Sequence, residues 1–245
     1  MRPERGGSAR RLACQIALGC LLGAATAAGT TLASATPSAS ADTCSTAKAQ
    51  VEGGRSSSHY GVRGDVYVNT KSTVNAYSSD MFVRSLSVFS DSNNWVEVGW
   101  LAHNYGKSSP TVFAFWDNAG HYPPNDTPVF HGTLSYDTNR TFWVVNLPGG
   151  NPIFQFWFDG DTSPFAFSPT MGFGTAPPLG NSERHNWCQS LYAHFNNLND
   201  YTTSGWETWD NWNACLNTTS RNPYYPHRDS DTEFHVTTDS SGKLC

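Results

Sequence analysis

Several signatures that would assign a function outright are missing from this chain. No Gly-x-Ser-x-Gly elbow occurs, which removes the α/β-hydrolase triad, because that fold presents its nucleophile on such a turn. No Cys-x-x-Cys is present, so zinc-ribbon and dithiol redox readings have little support. The eight histidines, at positions 59, 103, 121, 131, 185, 194, 227 and 235, never fall at a zinc-ligand spacing. The tight Asp/Glu cluster of many sandwich glycosidases is lacking too, although distant carboxylate pairs stay open. No repeat of fixed period is visible, and nothing marks a second domain.

Basic residues are also few, once the N-terminus is set apart. Residues 1–41 read as a secretory signal peptide, with Arg2, Arg5, Arg10 and Arg11 before a mildly apolar stretch from Leu12 to about Ala28. That stretch is too short and too rich in Ala and Gly to span a membrane. Ala39-Ser40-Ala41 places small residues at a cleavage site, with Ala33-Ser34-Ala35 as a second choice and a lipidated Cys20 as a weaker alternative. Cleavage near Ala41 predicts a secreted chain of one domain, 42–245. The leader holds four Arg and one Glu of the 15 Lys+Arg and 20 Asp+Glu, leaving 11 against 19, a net charge of −8. Such a surface repels phosphate backbones, which excludes nucleic acid as a partner.

Four cysteines follow the leader: Cys44, Cys188, Cys215 and Cys245. In an oxidising compartment they predict two disulfides out of three pairings. The preferred set is Cys188–Cys215 as a local clasp and Cys44–Cys245 joining the termini.

What the chain has is alternation. Short apolar runs of period two, separated by turn residues, predict strands at Val62–Asn69, Met81–Phe89, Trp95–Leu101, Thr111–Trp116, Thr141–Leu147, Ile153–Phe158 and Thr232–Thr237. Breaks fall at Asp91–Asn94, Asn118–Gly120 and Pro148–Asn151, the last a strong hairpin signal. Ser163–Gly180 and Asn217–Pro226 read as loops. Residues 182–200 fit a helical face (Trp187, Leu191, Phe195, Leu198) and also alternate as a strand would; strand is preferred because the rest is β. The expected fold is an all-β antiparallel two-sheet sandwich of the jelly-roll, concanavalin-like kind.

The segment Asn94-Trp95-Val96-Glu97-Val98-Gly99-Trp100 carries the chemistry. On a strand, Val96, Val98 and Trp100 fill the core, and Glu97 lies with Trp95 on the other face, where Gly99 leaves room. A carboxyl among aromatics suits proton transfer. This segment, with Tyr105-Gly106 and Phe113-Ala114-Phe115-Trp116, resembles the core of the neprosin-type and fungal glutamic peptidases, secreted β-sandwiches. The resemblance covers some 20 to 30 residues and implies Glu97 as the first catalytic residue, at a position where the fungal enzymes have Gln. A second acidic or amide group must face it. Glu183 is the preferred partner and Glu233 the alternative; neither sits in the family's second motif.

Nine tryptophans all follow the leader. Trp95, Trp206 and Trp209 are candidate ligand-stacking residues, which would make the domain a binder of an extracellular polymer, glycan or protein. Asp229-Ser230-Asp231-Thr232-Glu233 and the Asp159/Asp161 turn alternate acidic oxygens in the manner of calcium loops, but calcium wants six to eight oxygens and neither cluster supplies them alone. The sequence therefore names no metal and no cofactor, and implies a monomer. Three readings follow: an aromatic-faced polymer binder, a glutamic-peptidase-like hydrolase, and a structural or toxin-like secreted protein.

Overall fold

The computed structural model describes residues 49–69, 82–102, 105–124, 127–184, 192–210, 214–217 and 224–237. Residues 1–41, read above as a leader, and Cys44, Cys188 and Cys245 lie outside the described residues, as do the side chain of Cys215 and the residues Trp187 and Leu191. One sheet contains β1 (Ala49–Gly54), β3 (Phe82–Asp91), β4 (Asn94–Ala102), β5 (Thr111–Asn118), β6 (Val129–Thr133), β10 (Pro178–Arg184) and β13 (Ala214–Asn217). Its spatial order is β13-β1-β10-β3-β4-β5-β6. The other contains β2 (Gly61–Val68), β7 (Thr138–Asn146), β8 (Phe154–Phe158), β9 (Ala166–Phe167), β11 (Ala193–Thr202), β12 (Gly205–Thr208), β14 (Tyr225–Ser230) and β15 (Glu233–Thr237). Its order is β14-β15-β11-β2-β7-β8-β9, with β12 beside β11. These pairings are antiparallel, and the two sheets face each other across one apolar core.

Alternation decides which side of each strand is wet. On β4, Val96, Val98 and Trp100 are fully buried in the core, together with Leu86 and Val88 of β3 and Val112 and Ala114 of β5. The opposing sheet contributes Val62, Val66, Phe142, Val144, Phe154, Phe156, Phe195 and Phe234. Ring contacts cross the gap: Trp116 of β5 stacks on Phe156 of β8 at 5.8 Å. Residues 193–202 form a strand rather than a helix, with Ala193, Phe195 and Leu198 buried and a bulge between Asn196 and Asn199.

Two of the glycines fixed by close approach bear on the site and on the core. A Cβ at Gly99 would stand 2.1 Å from the carbonyl oxygen of Arg84, and one at Gly180 would meet the Phe234 ring at 2.7 Å. The first lets β3 and β4 pair closely beside Glu97; the second lets the sheets meet over the Phe195–Phe234 stack (4.5 Å).

Arg84 is completely buried on the core side of β3. Backbone carbonyls receive its charge: Nη1 donates to Val83 O (2.7 Å) and Glu183 O (3.2 Å), and Nε donates to Tyr192 O (3.1 Å). Its guanidinium also lies 5.9 Å from the centre of the Trp100 ring. A buried cation is tolerable only when such acceptors replace its water.

The two stretches read as loops contain strand. β9 lies inside 163–180 and pairs with β8, and Pro178–Gly180 already belong to β10. Pro178 begins that strand, the position where a missing N–H does least harm. Tyr225–Pro226 open β14. The strands at 49–54 and 129–133 have no counterpart among the predicted ones; both are short and weakly apolar.

Candidate functional site

The outer face of the seven-stranded sheet collects the polar side chains that the core excludes. Cross-strand register places Glu52, Asn181, Ser85, Gly99 and Phe113 in one row over β1, β10, β3, β4 and β5. The neighbouring row on the same face holds Ser87, Glu97 and Phe115. Ser85 Oγ donates to Glu97 Oε2 at 2.9 Å, and Asn181 Nδ2 donates to Ser85 Oγ at 3.4 Å. Glu97, Ser85 and Asn181 are thus joined across three strands. Ser85 and Asn181 are buried, while Glu97 is half-buried and reaches solvent. The Oδ1 of Asn181 is buried with no hydrogen-bond partner.

Aromatic rings border the carboxyl. Trp95 stacks on Phe115 (5.4 Å), and Phe115 contacts Tyr122 (6.0 Å). On the other side of Glu97 a small apolar cluster of Val83, Leu101 and Phe113, flanked by Tyr105 and Phe130, covers the end of the face. Glu97 therefore stands between a half-exposed ring ladder and an apolar wall, with Ser85 fixing the orientation of its carboxyl.

The other predicted site residues fall as follows. Glu183 shares the outer face with Glu97, but it lies opposite Val83 and hence Leu101, two strands and four residues away. With strands about 4.8 Å apart and about 3.4 Å per residue, the backbones of Glu97 and Glu183 are roughly 17 Å apart, beyond the reach of one shared water. Glu233 is on β15 of the other sheet and pairs with His194 (2.7 Å). The polar group that register does bring towards Glu97 is Asn181, which acidic-residue counting passes over. Trp95 is on the face beside Glu97. Trp206 packs edge-on against Tyr201 at 4.9 Å, half-buried. Trp209 is only 1% exposed and is part of the core. This corrects the expectation of Trp209 as a stacking surface. Its backbone N–H donates to the Leu198 carbonyl at 3.1 Å, which turns the ring inward to the core rather than towards a ligand.

A separate charged cluster surrounds Asp200 on β11. The Asp200 carboxylate is fully buried, paired with Arg55 and 3.5 Å from His59 Nε2, while Arg55 also reaches Asp210 at 3.0 Å. Burial pushes the Asp200 carboxyl up to about 7, against the opposing pull of the Arg55 guanidinium and the Trp209 indole. Burial and then the Arg55 charge hold His59 below its ordinary value. A carboxyl with a raised folded-state pKa holds its proton longer folded than unfolded, so stability falls as pH rises from about 4 through 7. Asp200→Asn is expected to remove that slope. The wild-type stability relative to the variant should then drop by on the order of 3 kcal/mol from about pH 4 to pH 8, read from urea unfolding. Parallel curves for the two proteins would refute this.

No family model matches the chain, and no curated protein matches it in sequence. Solved structures do match in shape. Scytalido-glutamic peptidase bound to a peptide-based transition-state analogue superposes with a TM-score of 0.53 at 10% identity, over 80% of this chain and 99% of the peptidase. The same peptidase with a transition-state-analogue inhibitor gives 0.52 at 11% identity, with the same coverage. The chain thus has the β-sandwich fold of a glutamic peptidase, as the resemblance around Trp95–Trp116 implied. Among the described residues no helix is long and apolar enough to cross a membrane.

Proposed function

We propose that the chain is a secreted hydrolase of extracellular polypeptide, with Glu97 as its acid–base carboxyl and Asn181 as the amide that faces it across Ser85. One observation carries this reading: the hydrogen-bonded line Asn181–Ser85–Glu97 emerges at a solvent-reaching carboxyl beside an aromatic ladder. Glu97 would take a proton from water as the water oxygen attacks the peptide carbonyl carbon. An amide N–H of Asn181 would stabilise the oxyanion. Glu97 would then return the proton to the leaving nitrogen as the C–N bond breaks. The likeness of fold to a glutamic peptidase supports this assignment without fixing the substrate.

A second reading rests on the ring ladder alone. Trp95, Phe115 and Tyr122 offer stacked faces to a sugar or an extended peptide, which gives a polymer binder without chemistry. One experiment separates the two. The chain is incubated with a denatured protein between about pH 3 and 7, the range a carboxyl mechanism favours, and new N-termini are read by mass spectrometry. Cleavage by the wild type and its loss in Glu97→Gln support hydrolysis. Trp95→Ala is expected to weaken substrate retention in either case, by about 1–3 kcal/mol for one lost ring. No cleavage at any pH, with Trp95-dependent retention intact, would leave binding as the function.

A further inference from the structure

Three histidines stand in one row on the outer face of the eight-stranded sheet, the side of the sandwich opposite Glu97. Register pairs His194 of β11 with His235 of β15, and His235 with His227 of β14. Directly opposed side chains on adjacent strands have Cβ atoms about 5 Å apart, close enough for neighbouring rings to share one ligand. The His227 and His235 rings are 4.9 Å apart. Asp229, at the end of β14, completes the group: its Oδ2 lies 2.7 Å from His235 Nδ1, and its Oδ1 lies 3.7 Å from His227 Nδ1. One ligand atom from each of His227, Asp229 and His235 falls within 4.8 Å of the others.

We propose that these three side chains form a binding site for a zinc-class divalent cation. Tetrahedral zinc with imidazole nitrogens and carboxylate oxygens at about 2.0–2.2 Å sets neighbouring donors about 3.3 Å apart. The two imidazoles lie 2.7 and 3.7 Å from the two oxygens of the one carboxylate, and all three donors fall within 4.8 Å, so side-chain rotation is needed to bring them to a common centre. His227 Nδ1 is buried and makes no hydrogen bond. With Asp229 Oδ1 too distant at 3.7 Å for a hydrogen bond, this nitrogen is left unsatisfied, which a bound cation would correct. At His235 the cation takes the place of the proton now shared with Asp229. Two imidazoles and one carboxylate are a donor set of the zinc kind rather than the oxygen-only kind calcium needs.

The surroundings fit as well. His194 Nε2 and Glu233 Oε1 lie 2.7 Å apart, and both have a ligand atom within 4.8 Å of one on Asp229. This pair flanks the site on its β11 side and adds a second imidazole–carboxylate couple beside Asp229. His194 and His235 also line a groove of about 290 Å³ with Tyr67, Asn69, Asp137 and Tyr192. Three protein ligands leave a fourth position for water or a small anion, the arrangement of an open rather than a closed zinc site.

The test uses the full chain without an affinity tag, stripped with chelator and titrated with zinc alone, with cobalt as a coloured stand-in. One equivalent of zinc should bind, and cobalt should give the intense visible bands of tetrahedral coordination. His235→Ala and Asp229→Asn should abolish both. His194→Ala, which removes a neighbour and no ligand, should keep the one-equivalent stoichiometry and the cobalt bands. Glu97→Gln, on the opposite face, should bind as the wild type does. Circular dichroism checks that each variant is folded; Asp229→Asn, at the exposed end of its strand, keeps the test sound if His235→Ala is not. Zinc bound equally by the wild type and by Asp229→Asn, or no stoichiometric zinc in the wild type, would overturn the site and leave a hydrogen-bonded surface cluster.

Discussion

Glu97→Gln is expected to lower turnover about 100- to 10,000-fold, the range a positioned acid–base group supplies. The substitution keeps the size of the side chain and an oxygen to accept the Ser85 hydroxyl, so packing against Trp95 and Phe115 is retained. Only the ability to take up and release a proton is lost. KM should therefore change little while kcat falls, the pattern of a group that acts in the transition state. Ser85→Ala should act more mildly, by up to about 100-fold, because it frees a carboxyl that still titrates but no longer holds one direction. Steady-state kinetics on a peptide substrate measures both. Unchanged kcat in Glu97→Gln would remove this carboxyl from the chemistry altogether.

Trp100→Ala is expected to lower the free energy of unfolding by about 3–5 kcal/mol, the usual loss for a buried aromatic truncated to a methyl group. Trp100 is fully buried between the sheets, and the Arg84 guanidinium lies over its ring. Removing the indole opens a cavity beneath a buried cation and strips away part of its packing, so the site cannot collapse cheaply. Trp95→Ala provides the contrast. It stands five residues earlier on the same strand but on the outer face, half-exposed, and should lose about 1 kcal/mol or less. Urea midpoints for the two variants test the face assignment directly; equal losses would contradict it.

The arrangement of β4 can be read from its letters because two signals coincide there. Its apolar side chains recur every second residue, and a carboxyl interrupts the other face between Trp95 and Gly99. Strands β1 and β10 are less visible for a physical reason. Their core-facing positions include the small residues Gly53, Gly180 and Ser182, and at Gly180 the volume is taken by Phe234 and Phe195 of the opposing sheet. A strand whose bulk is supplied by its partner shows little hydrophobic period of its own. Trp209 defeats a reading by spacing, because spacing alone does not tell a ring that stacks outward from one that turns inward just past a short strand.

Constellations assembled by register are the least legible part. Asn181 approaches Glu97 only because β3 lies between their strands, a neighbourhood that sequence distance does not encode. The histidine row draws on positions 194, 227 and 235, spacings no local zinc pattern contains, since adjacency there is set by strand order. The Asp200 cluster is similar: Arg55 and His59 come from the connection after β1, far along the chain from β11.

Arg84 has a mechanical meaning for the sandwich. Its nitrogens hold carbonyls of β3, of β10 and of Tyr192 at the entry to β11, so a single side chain ties one layer to the start of the other. Sliding the layers past each other would have to tear the charge-assisted bond to Tyr192, while the bonds to Val83 and Glu183 hold the guanidinium to its own sheet. The molecule is in effect riveted at that end, and Ser85, the next residue along the same strand, inherits a rigid footing from the rivet.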